Sequence, residues 1–285
     1  FSDGSTATVT LATGQLDKAV QAVNGSPVAG IPVVTAGDAV TFRITYTLPF
    51  SSIGQYTLTD YLPLPIFEAS TLAYAGGGPS STLPGVGEWS FGPLDTFFGI
   101  SGIVPTTSSD AAANAVAWNF GTFQDSADRA AVTDIFFTVA ATDRPFGDGL
   151  LLTNQAQQIE VTTDGRTLSS TDIAQVRIAE PLLGITKGVV STDNPAGVFT
   201  PSEVAPAGVS FAPPGQPGAA FTGTITSAGL AATPIDAALS NVLGNDLVKF
   251  TIIVENTGSG PDGGYNVTFQ DTFDATKLRI PSGSP

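Results

Sequence analysis

Tyr56–Pro63 reads YTLTDYLP, and a period of two places Tyr56, Leu58, Asp60 and Leu62 on one face of a strand. A carboxylate therefore stands in a row that is otherwise apolar and should face a core, where an unpaired charge is costly. The pattern returns as YNVTFQDTF, in which Tyr265, Val267, Phe269, Asp271 and Phe273 share a face and the acid holds the same place. A costly feature written twice marks a repeat.

Working outward, the strand-like segments are short and separated by turn residues, which predicts an all-β chain. TAGDAVTFRITYTLP alternates Val40, Phe42, Ile44 and Tyr46 with polar residues, as a half-buried strand does, and Tyr56–Leu62 is expected beside it. Residues 4–12 (GSTATVTLA) read as a strand. After Gly14, LDKAV puts Leu16, Lys18 and Val20 on one face, so that Lys18 also falls in an apolar row. Further strands are AVAWNF, TDIFFTVA and DIAQVRI. In LLLTNQAQQIEV, Leu150, Leu152, Asn154 and Ala156 share a face, and Asp164 with Gly165 reads as a hairpin turn. Residues 75–113 are rich in Gly, Ser, Thr and Pro and carry Trp89, Phe91, Phe97 and Phe98. They are too apolar for a linker and read as an excursion packed on the main body.

At Glu180 and Pro181 the pattern restarts. LLGITKGV places Leu183, Ile185, Lys187 and Val189 on one face, as Lys18 is placed, and GNDLVKFTIIVENTG repeats AGDAVTFRITYT with Asp246 at the position of Asp38. Lys18 and Asp38 are 20 positions apart and Lys187 and Asp246 are 59 apart, so the second copy carries an insertion of 39 residues within about 194–240. The expected organisation is a strand of a preceding unit over 1–13, one unit over 14–180 and a second, incomplete unit over 181–285, cut from a longer tandem array. Alternatively, strands supplied by a neighbouring copy or domain complete the second unit by strand addition.

Composition narrows the function. The 285 residues are 42% hydrophobic and only 12% charged, with 25 acids against 10 bases and a net charge of −15. Without a basic patch, nucleic acid and anionic membrane are excluded as partners. The apolar runs are too short for a membrane span, and no charged-then-apolar signal segment stands at Phe1. Cysteine, histidine and methionine are absent, which removes disulfides, thiol nucleophiles, imidazole bases and the usual zinc or copper ligands. That composition suits an extracellular or cell-surface protein without a cofactor and not an enzyme. Calcium held by loop carboxylates is the one metal the acidity leaves open, and no EF-hand or nonapeptide motif assigns its ligands. Asp38 and Asp246 read as turn residues. Trp89, Phe97, Phe98 and Trp118 offer a sugar platform or core anchors, and Glu88 with Asp95 makes only a weak glycosidase pair.

In order, LDKAV, AGDAVTFRITYT, YTLTDYLP, AWNFGTF and LLLTNQAQQIEV resemble the conserved tandem repeat of unknown function in large bacterial surface proteins, an immunoglobulin-like β-sandwich. The resemblance covers most of residues 14–180 and restarts with LLGITKGV, GNDLVKFTIIVENTG and VTFQDTF. The same pattern is similar to pilin domains of Gram-positive fimbriae that form an intramolecular isopeptide bond. In those, a strand-borne Lys bonds to an Asn on a late strand beside an acid, which here implies Lys18, Asn154 and Asp60, with Lys187 and Asp271 as the second-unit equivalents. The resemblance implies a structural segment of a surface fibre, stalk or adhesin. Two plainer readings stay open: a partly buried Lys18–Asp60 ion pair with Asn154 capping a strand end, or Lys18 snorkelling to the rim. The competing function is a binding module that recognises a glycan or protein through the segments at 75–113 and 194–240.

Overall fold

A computed structural model describes residues 14–282 except 49–51, 125, 126, 128, 145, 164, 202, 203, 217–220, 261–263, 265 and 266. The strand expected at 4–12 and the positions Tyr265 and Asp164 lie outside the described residues. The chain divides into two compact units, Phe1–Glu180 and Pro181–Pro285.

Among its described residues the first unit holds twelve strands. In chain order they are β1 (Gln15–Val23), β2 (Ser26–Pro27), β3 (Val33–Val34), β4 (Ala39–Leu48), β5 (Ile53–Tyr61), β6 (Ala73–Tyr74), β7 (Glu88–Phe91), β8 (Thr106–Asp110), β9 (Ala115–Phe123), β10 (Ala131–Ala140), β11 (Leu151–Thr162) and β12 (Thr167–Ile178), with a short helix α1 (Phe97–Ser101) between β7 and β8. They form two six-stranded sheets, in the orders β2-β1-β4-β10-β7-β6 and β3-β12-β11-β5-β9-β8. The sheets bury one joint core, in which Phe42, Ile44 and Phe137 of the first meet Leu58, Trp118 and Val176 of the second. This is a β-sandwich, and its strands alternate inward and outward as period two predicts: Tyr56, Leu58, Asp60 and Leu62 are all buried, as are Val40, Phe42, Ile44 and Tyr46.

Three expectations change. First, β5 does not pair with β4. It lies in the opposite sheet between β11 and β9, while β4 lies between β1 and β10. Both segments are amphipathic, and two apolar faces are buried against each other more completely by stacking across a core than by lying side by side. Second, residues 75–113 do not pack on the body from outside. They supply β7 to one sheet, where it pairs with β6, and β8 to the other. Trp89, Phe97 and Trp118 are fully buried, so the sugar platform gives way to core. Third, Leu150 lies before β11 and is exposed, whereas Leu152, Asn154, Ala156, Gln158 and Glu160 continue the inward row.

The segment Gly92–Asp95 is pinned over the outer face of β10 by charge. Asp134, fully buried, accepts from Arg43 Nε at 2.7 Å and Nη2 at 2.6 Å, and from the Leu94 amide at 2.9 Å. Asp95 in turn accepts the Asp134 amide at 2.9 Å and the Phe98 amide at 2.9 Å, at the start of α1. A Cβ on Gly92 would stand 2.4 Å from Asp134 Oδ2, so only glycine lets the backbone approach.

The second unit contains β13 (Leu183–Thr192), β14 (Val198–Thr200), β15 (Val209–Phe211), β16 (Phe221–Gly223), helix α2 (Ser227–Ala232), β17 (Ala238–Ser240) and β18 (Val248–Asn256). Its strands pair two by two: β13 with β18, β14 with β17 and β15 with β16. One face of β13–β18 packs through Val190 and Ile253 onto Leu230 and Ile235, which belong to the inserted residues. The other face carries Leu183, Ile185 and Lys187 of β13 beside Ile252 and Val254 of β18, in the register Lys187↔Ile252 and Ile185↔Val254. The sequence predicts this row to face a core, yet Ile185 is 64% and Ile252 40% exposed. Their counterparts in the first unit, Leu16, Lys18 and Ile44, are buried beneath the opposite sheet. The strand expected around Val267–Phe273 is likewise not formed. In the first unit the equivalent β5 draws its ladder from β9 and β11, and among the described residues of the second unit no strand offers one.

The acids that open the repeated strand pair do the same work twice. Asp38 accepts the Thr35 amide at 2.8 Å and Asn24 Nδ2 at 2.7 Å; Asp246 accepts the Leu243 amide at 2.5 Å and Asn194 Nδ2 at 2.6 Å. These are turn locks, as read from sequence.

Candidate functional site

Lys18 comes from β1 in one sheet and Asp60 from β5 in the other, and neither side chain has solvent-exposed surface. Lys18 Nζ donates directly to Asp60 Oδ2. Period two aims each residue inward from its own strand, and the sandwich brings the two faces together. The Lys18 amine is also walled by aromatic rings, 4.9 Å from the centroid of Phe42 and 5.3 Å from that of Phe137. Burial pushes the Lys18 pKa well below its usual value, and the nearby charge of Asp172 pushes it back up in part.

Asn154 sits on β11, next to β5 in the same sheet. Its neighbour in the inward row, Ala156, pairs directly with Asp60, so Asn154 lies on the diagonal from Asp60 on one face. It is 2% exposed. Neither Nδ2 nor Oδ1 of Asn154 has a hydrogen-bond partner, and Asp60 Oδ1 has none either. Burying an amide without partners costs about 1–3 kcal/mol in protein mutational data. The strand-end cap read from sequence as one role for Asn154 is not made, and Lys18 does not snorkel to the rim.

In the second unit Lys187 Nζ donates to Asp271 Oδ1 at 2.5 Å and stands 4.8 Å from the Phe250 ring. These residues are the counterparts of Lys18, Asp60 and Phe42, but the Lys187 side chain is 38% and that of Asp271 35% exposed. Both groups are open to water. No carboxamide joins the pair among the described residues.

The sequence reading did not single out Asp172. It accepts the backbone amide of Lys18 at 2.6 Å. A signal existed: in DIAQVRI, Asp172 begins the row Asp172, Ala174, Val176 and Ile178, the same acid-in-apolar-row signature that marked Asp60. A second polar group lies elsewhere in the core, where Tyr46 Oη donates to Glu160 Oε2 at 3.2 Å and burial raises the Glu160 pKa. Asp95 is pushed up to about 6, first by burial and also by the charge of Asp134, while its two amide donors pull it down. Glu88 and Asp95 hold separate backbone amides, of Gly85 and of Phe98 and Asp134, which accounts for both without a glycosidase pair. Among the described residues no three metal-ligating side chains converge, and no helix is long and apolar enough to cross a membrane.

No family model and no curated protein matches the chain. Among solved structures it is similar to BcpA, the major pilin subunit of Bacillus cereus, at 11% identity and a TM-score of 0.40 over 69% of this chain and 51% of that one. It is also similar to the C-terminal domain of the antigen I/II-family protein AspA of Streptococcus pyogenes, at 12% identity and a TM-score of 0.36 over 57% and 46% of the two chains. A third likeness is to the full-length major pilin SpaD of Corynebacterium diphtheriae, at 13% identity and a TM-score of 0.30 over 83% and 50%. The chain spans about half the length of these structures. At such values the likeness carries no functional argument, which rests instead on the geometry of Lys18, Asp60 and Asn154.

Proposed function

We propose that the chain is a structural segment of a bacterial cell-surface fibre, stalk or adhesin, in which an autocatalytic Lys18–Asn154 isopeptide bond ties the two sheets of the first unit together. The observation that carries this is the Asn154 carboxamide, buried without a single hydrogen bond in the inward row beside a desolvated Lys18–Asp60 pair. A merely structural Asn at that depth would be expected to have partners.

The chemistry balances within the three residues. The neutral Lys18 amine attacks Asn154 Cγ, so the Nζ–Cγ bond forms and the Cγ–Nδ2 bond breaks. Asp60 in its protonated form hydrogen-bonds the developing oxyanion and relays one Nζ proton to Nδ2, which leaves as ammonia. Low dielectric favours the neutral amine with the neutral acid over the ion pair. The reaction occurs once per chain, so the product is a crosslink and not turnover. It joins β1 to β11, one strand from each sheet, and the unit then resists separation of its sheets under tension.

The test is the intact mass of the purified chain beside a Lys18→Ala variant. Loss of one ammonia in the wild type, absent from the variant, is expected. A wild-type mass equal to that of the sequence overturns the crosslink.

One observation favours the alternative of a ligand-binding module. A groove of about 450 Å³ lies along the open face of β13–β18, lined by Lys187, Phe250 and Leu278 and bordered by Leu239 near the end of the inserted residues. Binding of glycan or protein there would be lost on deleting residues 198–240, whereas the structural reading predicts no such binding.

A further inference from the structure

Asp172 stands outside the Lys, Asp and Asn set, and its geometry gives it a part in the same reaction. Among the described residues, β1 along the Lys18 stretch is hydrogen-bonded only to β4, and β2 meets β1 only at Ala22 and Val23. The Lys18 amide therefore points to an open strand edge, where an unpaired N–H would be left. It donates instead to Asp172 Oδ2 at 2.6 Å, on β12 of the opposite sheet. In that sheet Asp172 is in register with Ala156, which is in register with Asp60. One carboxylate thus anchors the Lys18 main chain at the level of the strand rows that carry Asp60 and Asn154. The groups facing Lys18 are then Asp60 of β5, Asp172 of β12 and the rings of Phe42 on β4 and Phe137 on β10, with Asn154 of β11 in the inward row on the diagonal from Asp60.

We propose that Asp172 is a positioning residue for the crosslink: by accepting a hydrogen bond from the Lys18 backbone amide it fixes the edge of one sheet against the other, so that Nζ is delivered to Asp60 and Asn154. This rests on the proposed isopeptide chemistry. The anchor works against the reaction in one respect, because a second carboxylate near the amine favours its protonated, unreactive form. Asn at position 172 would keep an oxygen acceptor for the amide and remove the charge; Ala would remove both.

The experiment follows crosslinking in full-length chain made by cell-free synthesis and sampled over time by intact mass between pH 5 and pH 9. With Asp172→Asn the pH–rate profile is expected to shift to lower pH with the plateau rate kept. With Asp172→Ala the plateau rate is expected to fall by about tenfold or more, the scale of a lost positioning contact. Should the Ala variant fail to fold, as read by circular dichroism, the Asn profile decides alone. Wild-type crosslinking with both variants unchanged in rate and profile overturns the role of Asp172 only. No ammonia loss in the wild type overturns the crosslink itself, and this role with it.

Discussion

Lys18 and Asp60 lie on strands that share no ladder, one in each sheet of the sandwich, and their side chains meet in the core without exposed surface. Any bond built from that meeting point joins the two sheets, whereas the backbone ladders join strands within one sheet.

Removing Asn154 should therefore separate crosslinked from uncrosslinked behaviour. A bond from position 18 to position 154 closes a loop of 136 residues. By the chain-entropy model, which gives about 4.7 kcal/mol for a loop of 100 residues, its loss costs about 4–5 kcal/mol. Asn154→Ala should lower stability by roughly that amount, read by thermal unfolding, while its mass matches its own sequence. An Asn154→Ala variant that melts with the wild type would mean there is no crosslink to lose.

Arg43→Ala leaves the Asp134 carboxylate buried with only an amide donor, since the two guanidinium bonds at 2.7 and 2.6 Å are its only ionic contact among the described residues. Breaking a buried pair by removing one partner costs about 3–5 kcal/mol. Denaturant unfolding should show that loss, and hydrogen exchange should rise first at Leu94 and Phe98, whose amides depend on Asp134 and Asp95.

Asp95 gives the first unit a pH dependence of known sign. Its folded pKa is raised from 3.8 to about 6, so the folded state holds a proton that the unfolded state releases. The stability this contributes is fully present below about pH 3.8 and is lost as pH rises through 6, an effect of roughly 1–3 kcal/mol. The stability of the wild type relative to Asp95→Asn should fall between pH 4 and pH 6 and then level off. A difference that stays flat across that window would mean the Asp95 carboxyl is not raised.

The paired positions Ile44 and Ile252 test the open face of the second unit. Each stands opposite the repeat lysine in the register, Lys18↔Ile44 and Lys187↔Ile252, but Ile44 is fully buried and Ile252 40% exposed. Ile44→Thr should cost about 2–4 kcal/mol, through a lost methyl and a buried hydroxyl, and Ile252→Thr about 1 kcal/mol or less. Unfolding curves of the two variants would reveal the asymmetry; equal costs would mean both faces are covered.

The alternation of side chains along an extended backbone is a local property, and the sequence by itself determined it. It put Lys18, Asp60 and Asn154 on inward rows, marked the all-β class, and read Asp38 and Asp246 as turn residues that the same pair of contacts holds in both copies. Period two says which way a residue faces and not what it faces. That β4 and β5 are sequence neighbours in opposite sheets, that Trp89, Phe97 and Trp118 are core, and that Asp172 reaches across to the Lys18 amide were decided only by the packing of distant strands. The row through Leu183, Ile185 and Lys187 makes the same point in reverse: the alternation is present, but a face becomes a core only where a second sheet covers it. Burial is a property of two surfaces, and one strand's sequence specifies only its own.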